Sequence, residues 1–221
     1  MQMSTIQVPR ALCQAPPTAT MPEADDIRLL GATLHVSRDQ EVFGEGEPAD
    51  QVYKVVRGAV RGFRVLSDGR RQICDFYLPG DVFGIEPSGE HRTTAEALTD
   101  TVLVVARRSA LGDEADATAA RRLLHHFMAA LQRSQDHAVT LGRRSAGERV
   151  ANFLVDMAER IGGDDLLELP MSRQDIADYL GLTIETVSRT LTQFQVSGLI
   201  KLAGCRSVHI RRPRALADLC I

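Results

Sequence analysis

Hydrophobic and polar residues change their spacing along this chain, and the first pattern is that of short strands. From His35 to Ala106, apolar runs alternate with turn residues, as in Val52-Tyr53-Lys54-Val55-Val56 before Arg57-Gly58. Asp68-Gly69 separates two further runs, and such a pair favours a tight hairpin. The pattern predicts a β-roll or sandwich of about eight short strands.

The segment from Ala117 to Leu141 carries apolar residues at alternating steps of three and four, which is the spacing of a coiled-coil seam. Its only polar member is Ser134. We expect this long helix to pair with the same helix of a second copy of the chain, and burial against the β half of its own chain is the alternative. The predicted seam begins with Ala117 and Ala120, and its candidate interface residues are Leu124, Phe127, Leu131, Ser134, Ala138 and Leu141.

Gly142-Arg143-Arg144-Ser145 interrupts the seam, with Gly142 as the expected hinge. A further amphipathic helix is predicted from Ala146 to Ile161. Its apolar face consists of Val150, Phe153, Leu154 and Met157.

The third pattern is that of a helix-turn-helix. Ser172 with Asp175 three residues later predicts the N-cap of a first helix, which ends at Gly181. Thr183 then caps a second helix. Its apolar positions recur at steps of three and four and predict one buried face, made of Ile184, Val187, Leu191 and Phe194. The opposite face carries Glu185, Ser188, Arg189 and Thr192.

Glu185 and Arg189 are suited to contact the edges of bases. An arginine donates two parallel hydrogen bonds to guanine O6 and N7, and a glutamate accepts one from cytosine N4. The same pair at positions i and i+4 also occurs as a solvated surface ion pair. Two predicted strands follow the second helix, Leu199 to Leu202 and Ser207 to Ile210. This order favours a winged helix that binds DNA.

The charge of the chain is distributed unevenly. The whole chain of 221 residues has a net charge of −3, whereas seven Lys and Arg face four Asp and Glu from Met171 to the end. A basic segment in an acidic chain is typical of a nucleic-acid-binding domain joined to another domain. We expect contacts to the DNA backbone from Ser172, Arg173, Thr183, Thr186, Thr192, Lys201 and Arg206.

Composition excludes several other classes of protein. The chain is 44% hydrophobic and 25% charged, which is ordinary for a soluble protein of two domains. It has neither an apolar N-terminal signal region nor a run of about 18 apolar residues, so we expect a cytoplasmic protein without a membrane partner. The four cysteines lack C-x-x-C spacing and the six histidines lack an H-x-H pair, so we expect neither a metal site nor an enzyme.

The order of these elements and three motifs resemble the Crp/Fnr superfamily of bacterial transcription regulators. The motifs are Gly44-Glu45-Gly46-Glu47-Pro48-Ala49-Asp50, Pro79-Gly80-Asp81-Val82-Phe83-Gly84 and Glu185-Thr186-Val187-Ser188-Arg189. The resemblance implies an α+β fold: an N-terminal antiparallel β-roll of the cyclic-nucleotide-binding kind, a long dimerisation helix and a C-terminal winged helix-turn-helix. The corresponding boundaries are a flexible arm over residues 1–24, the β-roll over 25–112, the dimerisation helix over 113–142 and the DNA-binding domain over 143–221.

The same resemblance implies a homodimer that binds double-stranded DNA and RNA polymerase and acts as an activator. In the family, the residues that match Glu185 and Arg189 contact the central bases of an inverted repeat. Ser188 matches the Fnr side of the family, and Ile184 replaces an arginine of the cyclic-AMP receptors. In these two positions the chain is similar to proteins that bind a palindromic TTGA-type operator. Resemblance to the FixK branch implies a regulator that acts under oxygen limitation or in nitrogen fixation.

The β-roll resembles a nucleotide-binding site only in part. Arg92-Thr93 matches the phosphate-binding pair of cyclic-AMP receptors, but Ile85 stands where their ribose-binding glutamate follows Gly84. An iron-sulfur sensor of the Fnr kind needs four thiolates, and only Cys13 lies near the N-terminus. We therefore expect no cofactor, and a regulator whose β-roll binds a cyclic nucleotide or another small molecule is the alternative. Cys205, in the predicted wing turn, is a candidate redox switch or an incidental turn cysteine.

Overall fold

The structure is a computed structural model that describes residues 31–109, 117–162 and 166–220. The predicted arm over residues 1–24, with Cys13, lies outside the described residues. Within the long helix, the side chains of residues 117–120, 122 and 143 are also not described. All structural statements below concern the described part of the chain.

The first described region is a β-roll made of two four-stranded antiparallel sheets, in the orders β1-β8-β3-β6 and β2-β7-β4-β5. Its strands are β1 (Ala32–Val36), β2 (Glu41–Phe43), β3 (Gln51–Arg57), β4 (Val60–Val65), β5 (Arg71–Tyr77), β6 (Val82–Phe83), β7 (Thr94–Ala97) and β8 (Thr101–Arg107). The predicted hairpin at Asp68-Gly69 joins β4 to β5, and Gly69 has the positive φ of 82° that a tight turn requires. The predicted β-roll is thereby confirmed.

Two helices connect the β-roll to the C-terminal region: α1 (Ala117–Arg143) and α2 (Ala146–Ile161). The chain bends at Ser145, which has extended backbone angles and caps α2 in a capping box with Glu148. Gly142, the predicted hinge, is the penultimate residue of α1, so the bend lies three residues later. The predicted bounds and buried face of α2 are confirmed.

The apolar surface that α1 leaves exposed is rotated relative to the predicted seam. Leu124 and Leu131 are 59% and 54% exposed, but Phe127 and Leu141 are partly covered by their own protomer. Met128 and Val139, which the heptad pattern did not include, are as exposed as the two leucines. We name Leu124, Met128, Leu131 and Val139 the α1 stripe.

The C-terminal region is a winged helix with one strand more than predicted. Its elements are β9 (Leu166–Glu168), α3 (Arg173–Leu180), α4 (Ile184–Val196), β10 (Ile200–Leu202), β11 (Ser207–Ile210) and α5 (Pro213–Ala217), followed by a 3-10 turn at Asp218–Cys220. The predicted hairpin is formed by β10 and β11, and β9 adds to it as an edge strand, pairing Leu167 with Val208. Three strands therefore support the two helices of the helix-turn-helix.

One hydrophobic core joins the winged helix to the β-roll. Phe76 of β5 is fully buried between Phe153 of α2 and Tyr179 of α3, with ring centroids 6.2 and 5.1 Å away. Tyr179 also stacks on His137 of α1 at 3.9 Å, and burial lowers the pKa of this histidine to about 4. An uncharged His137 is thus packed at the junction of α1 and α3.

Candidate DNA-binding interface

The two helices of the helix-turn-helix begin and end at the residues that local chemistry predicts. Ser172 caps α3 in a capping box with Asp175, whose carboxylate accepts from the Ser172 backbone N–H at 2.9 Å. Gly181 ends the helix in the left-handed conformation, with φ 61° and ψ 40°, which a side chain would strain. Thr183 then caps α4 through the backbone N–H of Thr186.

Helix α4 has one buried face, formed by Val187, Thr190, Leu191 and Phe194. The prediction that Ile184 belongs to this face is wrong, since its side chain is 37% exposed. At about 100° per residue, Ile184 and Thr190 lie about 60° to either side of Val187 around the helix axis. The core covers the side of Thr190 and leaves that of Ile184 exposed.

Glu185 and Arg189 lie on the side of α4 opposite its buried face, and both are exposed. Hydrogen bonds from its own backbone N–H and from the Thr183 side chain hold the pKa of Glu185 below its usual range, and the charge of Arg189 adds to the effect. The two side chains therefore present a carboxylate and a guanidinium to the same surface. This combination of acceptor and forked donor is the one that base edges in a major groove require.

Ser188, the third predicted base contact, is half-buried beside Arg173 of α3. The Arg173 guanidinium donates to the Ser188 hydroxyl oxygen at 3.4 Å. The Ser188 hydroxyl still has a proton to donate, and its contact to a base stays a prediction.

All four hydroxyls predicted to contact the DNA backbone also hold the helix-turn-helix together. Ser172 donates its hydroxyl to Asp175 at 2.6 Å, Thr183 and Thr186 share a contact at 3.1 Å, and Thr192 donates to the Ser188 carbonyl at 2.9 Å. These protein contacts limit what the same groups can offer to a phosphate, and their contacts to DNA stay predictions.

The wing supplies cations beside this surface. Lys201 of β10 is exposed, whereas Arg206 is half-buried and donates to the Pro170 carbonyl at 3.2 Å. Arg206 thus holds the wing turn against the segment before α3. Cys205 is exposed in the same turn, and its predicted redox role stays a prediction.

The acidic residues of α3 face away from the proposed DNA surface. Asp175 is 4% exposed and contacts Arg61 and Arg71 of the β-roll, and Asp178 contacts Arg71. Two of the four carboxylates in the basic segment are therefore neutralised on the inner side of the domain. The sequence did not reveal these contacts, because arginines on a predicted strand ordinarily face solvent.

Arg149 of α2 is a further positioning residue that sequence reasoning missed. Its guanidinium donates to the carbonyls of Leu141 at 2.8 Å, Arg144 at 2.9 Å and Leu180 at 3.0 Å. Carbonyls at helix C-termini lack partners within the helix and carry partial negative charge. One cation therefore joins the ends of α1 and α3.

Aromatic rings occupy the interior of the β-roll. Tyr77 stacks on Phe83 with centroids 4.5 Å apart, Phe83 lies 5.3 Å from Tyr53, and Phe43 stacks on His91 at 3.5 Å. The Tyr53 ring lies so close to Gly84 that a Cβ there would be 2.6 Å from Cδ2.

Two contacts of the segment that resembles a nucleotide-binding site disfavour a cyclic nucleotide there, and the absence of a cofactor stays a prediction. Arg92 is exposed, and its backbone N–H lies 3.4 Å from the Glu86 carboxylate, which would repel a phosphate. Ile85 packs against an apolar cluster with Val52 and Val82. A phosphate without its full set of hydrogen bonds would be expensive to bury.

Two further findings concern other kinds of site. Among the residues that the structure describes, no three His, Cys, Asp or Glu side chains are grouped as metal ligands. None of the described helices combines the length and apolar character that crossing a membrane requires.

Comparisons with known proteins agree with this architecture. The family model for the Crp-like helix-turn-helix domain matches residues 148–219, and that for the cyclic nucleotide-binding domain matches residues 33–117. The nitrogen fixation regulation protein FixK of Rhizobium meliloti is 47% identical over 82% of this chain and 83% of its own length. The transcriptional activatory protein AadR of Rhodopseudomonas palustris is 40% identical over 87% of this chain and 84% of its own.

Among solved structures, FixK2 from Bradyrhizobium japonicum is similar to this chain with a TM-score of 0.82 and 45% identity, covering 87% of this chain and 98% of that protein. Its similarity extends over both the β-roll and the winged helix, as the coverage requires. The chain therefore belongs to the Crp/Fnr family of DNA-binding transcription regulators, in its FixK branch.

Proposed function

We propose that this chain is a homodimeric, sequence-specific regulator, in the main an activator, that binds a palindromic TTGA-type operator without a cyclic nucleotide or iron-sulfur cofactor. RNA polymerase is the proposed second partner. The genes controlled are those of the response to oxygen limitation or of nitrogen fixation. Support for the processes comes from the relatives, several of which are named nitrogen fixation regulation proteins. AadR, named a transcriptional activatory protein, supports activation.

The observation that carries DNA recognition is the exposed pair Glu185 and Arg189 on α4. Both lie opposite the buried face of the helix, while Asp175 and Asp178 are paired with arginines of the β-roll. The surface around α4 is thereby left with the cations Arg173, Arg189 and Lys201. Such a surface attracts phosphates over several ångströms and then places two base-contacting side chains in the groove.

Dimerisation is supported by the α1 stripe. Leu124, Met128 and Leu131 recur at steps of four and three on one side of the helix, and each is more than half exposed in the protomer. Burying such residues against a second α1 would remove apolar surface from water. A two-fold dimer would then place its recognition helices in successive major grooves, about 34 Å apart, so the operator should be an inverted repeat.

Function without a cofactor is supported by the packed interior of the β-roll. The rings of Phe43, Tyr53, Tyr77 and Phe83 pack against one another in the roll, and Arg92 faces solvent beside Glu86. The alternative is a ligand-gated regulator whose β-roll binds a cyclic nucleotide or another small molecule. It would require the exposed Arg92 to turn toward a bound phosphate beside the Glu86 carboxylate, which charge repulsion opposes.

Selection of binding sites from random duplexes tests the proposal. We expect purified protein to enrich inverted repeats with TTGA-type half-sites equally well with and without cyclic AMP, and equally well under air and under anaerobic conditions. Phosphate contacts should make the affinity fall steeply with salt concentration. Enrichment only with cyclic AMP would favour the ligand-gated alternative, and binding without base preference would contradict sequence-specific recognition.

A further inference from the structure

We propose that Arg61 and Arg71 of the β-roll are positioning residues that set the separation of the two recognition helices on the operator. This inference rests on the proposed function, since it concerns how a dimer meets its inverted repeat. Arg61 lies in β4 and Arg71 begins β5, far in sequence from the helix-turn-helix. Neither residue contacts the proposed DNA surface, so their effect on binding would be exerted through α3.

Both arginines converge on a single carboxylate. Arg61 Nη1 and Arg71 Nη2 each lie 2.8 Å from Asp175 Oδ1, while Asp175 Oδ2 accepts from the backbone and hydroxyl of Ser172. Burial would raise the pKa of Asp175, but the hydrogen bonds from Ser172 and the two guanidinium charges together lower it. The Asp175 carboxylate, which completes the capping box of α3, is therefore also the point where the β-roll holds that helix.

The connection extends along α3 and back into the β-roll. Arg71 Nε donates to Asp178 Oδ2 at 2.9 Å, and Gln72 donates to the Tyr179 carbonyl at 3.3 Å. On the other side, Arg61 forms an ion pair with Glu96 of β7. Helix α3 is thus held by β4 and β5 at residues spread over more than one turn, which restricts its rotation as well as its distance from the roll.

Directional contacts of this kind fix geometry more than they add stability. A buried ion pair gains little net free energy, because desolvation of both charges offsets their attraction. A guanidinium, however, is planar and donates only along fixed directions, so paired carboxylates have few acceptable positions. The apolar contact between Phe76 and Tyr179 would tolerate a small slide that these hydrogen bonds would not.

The contacts matter for DNA binding because the α1 stripe and α4 lie on different parts of the protomer. If α1 defines the two-fold axis, then the distance from that axis to Glu185 and Arg189 depends on how the helix-turn-helix is held. The chain connection between α1 and α2 is short but bends at Ser145. Adding one base pair between half-sites moves the second by about 3.4 Å and rotates it by about 34–36°. Without the arginine contacts, the helix-turn-helix could move relative to the two-fold axis and so reach a half-site displaced in this way.

Spacing dependence is the measurement that tests this proposal. Affinities would be measured for the selected operator, for versions with one base pair added or removed between half-sites, and for a single half-site. We expect the wild-type protein to prefer the selected spacing by about tenfold or more. In the variant with Arg61→Gln and Arg71→Gln, this ratio should fall toward one, while the base preference within a half-site is retained.

Arg64→Gln is the matched control. Arg64 lies in the same strand as Arg61, but its partner is Glu45 and the two side chains are 49% and 39% exposed. The control should keep the wild-type ratio between spacings. If the double variant does not fold, Asp178→Ala removes one partner of Arg71 and leaves the Ser172 cap intact, and a smaller fall of the same ratio is then expected.

The outcomes separate this proposal from the function on which it rests. A double variant, or an Asp178→Ala variant, that keeps the wild-type ratio overturns the positioning role, whatever its affinity for the selected operator. A wild-type protein with no preference for inverted repeats refutes the proposed function itself. A lowered ratio together with retained base preference supports both.

Discussion

Replacing Arg189 by alanine is expected to weaken operator binding by about 1–3 kcal/mol per half-site and to relax base preference at one position. Arg189 is exposed on the face of α4 opposite Val187, and Glu185 lies one turn before it. In a groove its guanidinium would bind one base through two parallel hydrogen bonds, and alanine removes both. In a symmetric dimer the loss occurs twice.

The measurement is a competition assay in which each base of the half-site is replaced by the three others. Arg70→Ala is a suitable control, since Arg70 is a strongly exposed arginine of the β4-β5 turn paired with Asp68. It should leave every affinity unchanged. If Arg189→Ala weakens all sequences equally, Arg189 contacts phosphate and the base-contacting assignment is wrong.

Leu131→Asp is expected to make the protein monomeric and to lower operator affinity by about 100-fold or more. Leu131 is 54% exposed at the centre of the α1 stripe, and a carboxylate there would be buried against its symmetry mate. A monomer would bind one half-site at a time, whereas a dimer binds both half-sites at once. Linking two binding modules in this way raises the affinity by about 10²–10⁴-fold.

Sedimentation velocity gives the oligomeric state, and titration of the full operator gives the affinity. Val65→Asp serves as the control, because Val65 is 61% exposed at the end of β4 and lies outside α1. It should leave the variant dimeric and fully active. A monomeric Leu131→Asp protein that binds the operator with wild-type affinity would contradict the proposed dimer.

Features encoded by neighbouring residues could be predicted from the sequence. The caps at Ser172 and Thr183 and the bounds of α2 depend on side chains three or four positions apart, so a single chain segment determines them. The hairpin at Asp68-Gly69 is likewise local. The exposed face of α4 followed from the 100° spacing of its residues, with Ile184 as the exception.

Features that depend on distant partners could not be predicted in this way. Strand β9 has three residues and becomes a strand through Leu167, which pairs with Val208 far along the chain. Asp175 counts as a negative charge in a basic segment until its contact with Arg61, 114 positions earlier, is known. The heptad pattern located α1, but the side of the helix left exposed depends on how the β-roll and α2 cover the other side.

The exposed α1 stripe also affects how operator occupancy depends on the concentration of the protein. If only the dimer occupies the operator, then at protein concentrations below the dissociation constant the dimer concentration rises with the square of the monomer concentration, so a doubling of the protein gives about a fourfold increase in dimer. If the β-roll binds no effector, as proposed, the regulator would respond steeply to how much of it is synthesised. Its rate of production and removal would take the place of an effector.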